Sequence, residues 1–390
     1  MNRYTFIEAE LENRLSRNLY RRLKTVRPVS GVEIEADGRM MVNFSSNDYL
    51  GLSRHPLLGE RAVEYQRKYG SGSTASRLVC GNYDCFEKVE KRIAELMERE
   101  DSLILNSGFQ ANISLLPALS DRDTLILSDW LNHNSIVQGC LLSRCHIKRF
   151  RHNDMNHLEE LLRENRDKGV SRILVITESV FSMDGDRSDI DTLVELSERY
   201  DSFLIVDDAH GVGILGKRGM GLACGKDVDL VMGTMGKACG SFGAYVACSK
   251  DTKDYLINFC YGLIYSTALP PAVIGSIDAA LELIPTMDKE RRDLLRKADM
   301  FRSALNEIGY DTGKSTTQII PVIIGDENET LDLSKWLEDN GIFATTFRYP
   351  TVASGQSRIR LSLSALHTSQ HLEQLVALFK KWRERGKHGK

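Results

Sequence analysis

Phe203-Leu204-Ile205-Val206-Asp207-Asp208-Ala209-His210 sets four apolar residues before two carboxylates and an imidazole. A short apolar run closed by polar residues is the pattern of a buried strand. The texture recurs at Leu103-Ile104-Leu105, Leu125-Ile126-Leu127, Ile173-Leu174-Val175-Ile176 and Asp229-Leu230-Val231-Met232, and helically spaced segments such as 158–165 and 192–200 fall between these runs. Strands alternating with helices predict an α/β domain with a mainly parallel sheet. Ligands of such sheets bind beyond the carboxyl ends of the strands. The residues that follow each run are therefore the candidates for function.

Asp207 is costly to bury unless a cation or several donors meet it. It is either a structural aspartate at a turn or the partner of a protonated pyridine nitrogen, which it would keep charged. Gly233-Thr234-Met235-Gly236-Lys237 follows another run, and its lysine has small neighbours in Gly236, Ala238 and Gly240. Partial desolvation would free this amine to form a Schiff base with an aldehyde, with the Thr234 hydroxyl on the same approach. A surface lysine in a flexible turn satisfies the same pentapeptide. Ser182, in Phe181-Ser182-Met183-Asp184-Gly185 after Glu178, offers a hydroxyl or simply starts a turn. Ser107-Gly108-Phe109-Gln110-Ala111-Asn112 opens a helix, and free N–H groups there suit a phosphate. Asp129-Trp130-Leu131-Asn132-His133-Asn134 brings an imidazole to the same edge.

Gly211-Val212-Gly213-Ile214-Leu215-Gly216 matches the dinucleotide fingerprint, but more glycine-rich loop follows it rather than a helix, which argues against a nicotinamide site. The Gly70–Ser76 stretch lacks a phosphate-loop lysine and reads as a flexible loop.

The 42% hydrophobic and 27% charged fractions are those of a globular protein, and a net charge of -3 argues against nucleic acid as partner. The first 27 residues are charged throughout, unlike a signal peptide, and no apolar run nears the roughly 20 residues of a membrane span. These features point to the cytoplasm. The eight cysteines include no C-x-x-C pair, so reduced thiols are expected and no metal site. An amphipathic helix is expected over residues 3–24, where Arg21 and Arg22 sit near its end, then a hairpin turning at Asp37-Gly38. After about residue 285 the pattern changes to a long charged helix (288–308), strands at 319–324 and 358–363, and helices at 331–340 and 371–385. Three units result: an N-terminal helix and hairpin (1–45), a large domain (46–285), and a smaller α+β domain (286–390).

Five stretches together resemble one family. They are Ser45-Ser46-Asn47-Asp48-Tyr49-Leu50-Gly51-Leu52, His152-Asn153-Asp154-Met155, Phe181-Ser182-Met183-Asp184-Gly185-Asp186, Asp207-Asp208-Ala209-His210-Gly211 and Gly233-Thr234-Met235-Gly236-Lys237. In this order they are similar to the signatures of the α-oxoamine synthases. These are pyridoxal-phosphate (PLP) enzymes of the aspartate-aminotransferase fold, fold type I, which condense an amino acid with an acyl thioester and release carbon dioxide. Tyr265-Ser266-Thr267-Ala268-Leu269-Pro270-Pro271 and Arg348-Tyr349-Pro350-Thr351-Val352 most resemble the biotin-pathway branch, which joins L-alanine to a pimeloyl thioester on coenzyme A or acyl carrier protein.

The resemblance implies a role for each matching position. Lys237 would hold PLP and shuttle protons, Asp207 would pair with the ring nitrogen, and His133 would stack on the ring and orient substrate. Ser182 and His210 would bond the phenolic oxygen. Gly108, Phe109 and Thr234 would serve the cofactor and its phosphate, with Ser266 and Thr267 reaching across from the second subunit of a homodimer. Asn47 and Arg360 would take the amino acid's carboxylate, Arg360 bidentately. Arg21, Thr351 and Arg348 would meet the acyl substrate. The resemblance also admits members that use glycine and acetyl-CoA, members that make amino-ketone signals, and non-catalytic dimerisation partners, although the last typically lack the lysine. Phe86 stands where relatives often carry histidine, and Tyr349 and Ala353 replace common prolines, so the acyl pocket is where this chain is expected to differ.

Overall fold

The computed structural model describes residues 3–17, 19–166 and 168–388. A seven-stranded sheet forms the centre. In space its strands run Asp101–Leu105, Ala244–Cys248, Leu230–Thr234, Phe203–Asp207, Arg172–Glu178, Thr124–Asp129, His146–Phe150. Six point the same way, and Ala244–Cys248 alone runs antiparallel to both its neighbours. Chain length explains the exception. A parallel return needs a crossover of about a dozen residues or more, and only residues 235–243 join this strand to Leu230–Thr234. They form a tight turn, tied by Met235 N–H to Gly243 O at 2.9 Å, Ser241 N–H to Met235 O at 2.9 Å and Gly240 N–H to Lys237 O at 2.9 Å. Lys237 therefore sits on a pinned connection. Gly240, at φ +63°, packs so closely that a Cβ there would lie 2.3 Å from Ser53 N.

Alternate strand residues face opposite apolar layers, as a pleated sheet requires. Leu125, Leu127, Val175, Leu204, Val206 and Val231 join the larger core. Ile126, Leu174, Ile176, Ile205, Leu230 and Met232 join the second, with Ala111, Leu115 and Leu116 of the helix Gly108–Leu119. Both faces are thus covered, which accounts for the uninterrupted apolar runs. The hairpin forms as expected, Glu33–Ala36 against Arg39–Asn43, with Asp37 (φ 52°) and Gly38 (φ 72°) both left-handed, as a tight turn of this kind demands. Ile342–Phe343 adds to its edge in parallel. Ile319–Gly325, Ser357–Ser362 and Thr345–Phe347 make a small antiparallel sheet.

The helix expected over 3–24 is shorter, Thr5–Ser16, and none of its residues is buried. Apolar spacing continues through Leu19 and Leu23, but helical spacing alone does not sustain a helix that has no surface to pack on. The sequence reading also passed over the strands His146–Phe150 and Ala244–Cys248 and the helices Pro56–Tyr69, Lys250–Phe259 and Pro271–Leu283. Among the described residues all eight cysteines are free, and no helix is long and apolar enough to cross a membrane.

Candidate active site

The carboxyl ends of the parallel strands meet around a cavity of about 280 Å³. Asn47, Gly108, Phe109, His133, Asp207, His210, Thr234 and Lys237, each marked in the sequence, line it together. Asp207 ends its strand almost completely buried. One carboxylate oxygen accepts from Asn112 Nδ2 at 2.8 Å, the other from the Ala209 N–H at 3.0 Å. Asn112 also donates to Ser135 Oγ at 3.0 Å, which lies 2.7 Å from His133 Nδ1. His133 caps the helix Asn134–Ser143, its Nδ1 accepting from the Ser135 N–H at 3.2 Å, so the ring proton of the neutral imidazole lies on Nε2. Burial lowers the His133 pKa below its ordinary value, Lys237 lowers it further, and Asp207 opposes.

Lys237 is half-buried in this cavity. Desolvation lowers its pKa, and Arg360 adds to that, while Asp207 and Glu178 resist. His210 is held neutral, well below its usual range, by burial and the nearby charges of Lys237 and Arg360. Its Nδ1 lies 2.7 Å from the Tyr49 hydroxyl, and Gln318 Nε2 donates to its carbonyl at 3.0 Å.

The start of Gly108–Leu119 faces the same space. Ser107 caps it by accepting from the Gln110 N–H at 3.2 Å, and the Gly108 and Phe109 N–H groups have no acceptor among the described residues. A Cβ on Gly108 would come within 2.5 Å of Thr234 Cγ2, so this approach requires glycine. A buried carboxylate hydrogen-bonded by neutral donors, an amine whose pKa desolvation lowers, an imidazole and open helix amides fit the ring nitrogen, aldehyde, ring face and phosphate of PLP.

Arg360 is buried behind Asn47. Both its Nη atoms lie 3.2 Å from Asn47 Oδ1, Nη1 donates to Ser362 Oγ at 2.8 Å, and Nε donates to the Ser182 carbonyl. Among the described residues no carboxylate pairs with it. Ser182 is near, through its backbone, but its side chain is not in the cavity wall, and neither are Ser266 and Thr267. Gln110 Nε2 donates to Ser266 Oγ, and Thr267 O accepts from Asn106 Nδ2 at 2.8 Å.

Arg21, Arg348 and Thr351 line a separate groove of about 600 Å³, with Tyr20, Leu23, Phe347 and Tyr349. Of the three departures from the family pattern, only Tyr349 belongs to this groove. Phe86 is a core residue with the Arg77 guanidinium 4.7 Å above its ring, and Ala353 lines neither space. The sequence reading missed Asn112 and Ser135 as the links between Asp207 and His133, and Tyr49 as the partner of His210. All three stand inside quoted or adjacent stretches, but hydroxyl and amide side chains there carry no period that marks them. Asp208, beside Asp207, organises a loop instead of facing the cavity. It accepts from the Ala223 N–H at 2.9 Å and from Ser179. Gly211 and Gly221 press so tightly on it that a Cβ would fall 2.0 and 2.2 Å from its oxygens. Of the glycines that mimic a dinucleotide loop, Gly211 packs on this carboxylate, whereas Gly213 packs on Ala238 and Gly216 on the Gly221 carbonyl.

A fold type I PLP transferase is what this sheet and this edge define. The chain belongs to the class I and II aminotransferase family, whose model matches residues 39–379, and within it to the α-oxoamine synthases. It is 55% identical over 383 residues, 98% of this chain and 100% of the relative, to a protein of Desulfosudis oleivorans provisionally named 8-amino-7-oxononanoate synthase. It is 45% identical over 377 residues, 95% of this chain and 96% of the relative, to the 8-amino-7-oxononanoate synthase of Geobacter sulfurreducens. The solved Sphingomonas wittichii serine palmitoyltransferase superposes with a TM-score of 0.91 at 27% identity, covering 98% of each chain. The protein is a PLP-dependent acyltransferase.

Proposed function

We propose that the protein joins L-alanine to a pimeloyl thioester, with loss of carbon dioxide, to give 8-amino-7-oxononanoate, a step of biotin biosynthesis in the cytoplasm. The observation that carries the reading is the hydrogen-bonded line His133–Ser135–Asn112–Asp207 in the same cavity as the desolvated Lys237 amine. The names of the relatives support the choice of substrates. PLP, when bound, supplies an aldehyde for that amine and an electron-withdrawing ring that accepts the electron pair left at the amino acid's α-carbon.

The residues do the rest. Lys237 Nζ would hold the cofactor until alanine displaces it, then take the α-proton and later return one. Asp207, its geometry set by Asn112 and the Ala209 N–H, would keep the ring nitrogen protonated. His133, with its proton on Nε2, would lie on the ring and orient the substrate. Gly108, Phe109 and Thr234 would hold the phosphate and His210 the phenolic oxygen, while Ser182, expected to share that oxygen, would act through the carbonyl that fixes Arg360. Arg360 and Asn47 would take the alanine carboxylate, which fits a buried guanidinium that has no carboxylate partner among the described residues. Arg21, Arg348 and Thr351 would bind the thioester in their groove. Ser266 and Thr267, outside their own cavity, would complete that of a second copy, making the working unit a homodimer.

The test is a product assay with PLP, alanine or glycine, and pimeloyl, acetyl or longer acyl groups on coenzyme A and on acyl carrier protein. 8-Amino-7-oxononanoate from alanine and a pimeloyl thioester is expected. Turnover only with glycine and acetyl-CoA overturns the reading. Arg21→Ala is expected to raise KM for the thioester about tenfold, the loss of one charge-assisted contact, with KM for alanine unchanged.

A further inference from the structure

Glu178 is a buried acid to which the chemistry above assigns no role. It ends the strand Arg172–Glu178 in register with Asp207 on the neighbouring parallel strand. The two side chains therefore leave the same face of the sheet, about 5 Å apart, the spacing of adjacent strands. Both line the cavity. Their partners differ. Each Asp207 oxygen accepts one hydrogen bond, whereas Glu178 Oε1 accepts the main-chain N–H of His133 at 2.5 Å and Oε2 has no hydrogen-bond partner among the described residues.

Two buried acids this close disfavour each other's ionisation. Asp207 has the better donors, one for each oxygen, against the single N–H that meets Glu178. Burial, and then the charge of Asp207, push the Glu178 carboxyl well above its ordinary range; the His133 N–H and Lys237 oppose this and Asp129 reinforces it.

We propose that Glu178 works as an uncharged carboxylic acid, one oxygen fixing the segment that carries His133 and the O–H offered into the cavity as a donor to the bound ligand. It positions His133 through one oxygen and meets the ligand through the other, and the inference rests on the cavity being the PLP site. An ionised Glu178 would instead serve as a counter-charge to the amine, and a single substitution separates the two.

Glu178→Gln keeps an acceptor for the His133 N–H and a donor toward the cavity, but can carry no charge. Glu178→Ala keeps neither group. Purified parent and variants are loaded with PLP, and the visible band of the Lys237-bound cofactor is titrated with pH. The expected result is a midpoint in Glu178→Gln within about 0.3 of the parent's and PLP affinity within about threefold, with affinity at least about tenfold weaker in Glu178→Ala. A midpoint lower by about one or more in Glu178→Gln would show that a negative charge had been removed beside the amine, and overturns the proposal. Undiminished PLP affinity in Glu178→Ala overturns it too. Should Glu178→Ala fail to fold, the glutamine titration decides alone. A parent that shows no visible band at all would remove the PLP reading, and this inference with it.

Discussion

His152 offers the sharpest test of how the site is held together. Its Nδ1 lies 3.0 Å from Asp129 Oδ1 and its Nε2 2.8 Å from Asp186 Oδ2, and the ring meets Phe181 edge-on at 4.4 Å. The Asn153 N–H donates to the other Asp129 oxygen at 2.9 Å. The imidazole thus ties the strand end before His133 to the turn whose Ser182 carbonyl receives Arg360. Burial works against its charged form, but the two carboxylates outweigh that and raise the pKa from 6.5 to about 10.

At about 1.4 kcal/mol per tenfold change in proton affinity, that rise corresponds to roughly 5 kcal/mol as a ceiling. With the side chain 24% exposed, solvent screening leaves roughly half, about 2–3 kcal/mol. The sign follows from linkage: a pKa raised on folding contributes stability in full below the unfolded value of about 6.5, and that stability is lost as pH climbs through the folded value. His152→Leu removes the interaction and leaves Asp129 and Asp186 facing each other. Urea unfolding of parent and variant should show a gap of about 2–3 kcal/mol at pH 6 that shrinks to below about 1 kcal/mol at pH 9.5. A gap that is the same at both pH values, or no gap at pH 6, refutes the reasoning.

Two further outcomes follow from the cavity. Arg360→Lys replaces a planar fork by a point charge, so KM for alanine should rise by about tenfold or more while KM for the thioester and the visible band of the bound cofactor stay as in the parent; equal rises in both KM values would place the substrate carboxylate elsewhere. Gly108→Ala should weaken PLP binding by about tenfold or more, because the new methyl meets Thr234 Cγ2 at 2.5 Å, and adding Thr234→Ser, which deletes that methyl, should restore most of the loss in a fluorescence titration. Failure of the second change to rescue the first would mean that the close approach is not what matters there.

Much of this was legible in the residues. A strand buried on both faces must be apolar throughout, so Phe203–Val206 and its four counterparts announced a covered parallel sheet, and polar residues at their ends marked one functional edge. Lys237 remained ambiguous as a pentapeptide, because small neighbours suit a loose turn as well as a reactive amine. The Gly211–Gly216 run was similarly two-sided until tertiary contacts supplied the reasons, Asp208 for Gly211, Ala238 for Gly213 and the Gly221 carbonyl for Gly216. The helix expected over 3–24 and the unexpected strand Ala244–Cys248 show the same limit from the other direction. Spacing reports what a segment is able to do, while its neighbours decide what it does.

By itself, then, the order of amino acids determined the α/β class, the edge where chemistry gathers and most of the groups that gather there, since each follows from local periodicity or from what stands next to a buried run. Only the tertiary structure decided which groups share a charge. Asn112 reaches Asp207 and Ser135 from a helix remote from both in the chain, and Glu178 comes level with Asp207 on the neighbouring strand. Proton affinities depend on distance and desolvation in three dimensions, and neither quantity is written in sequence spacing.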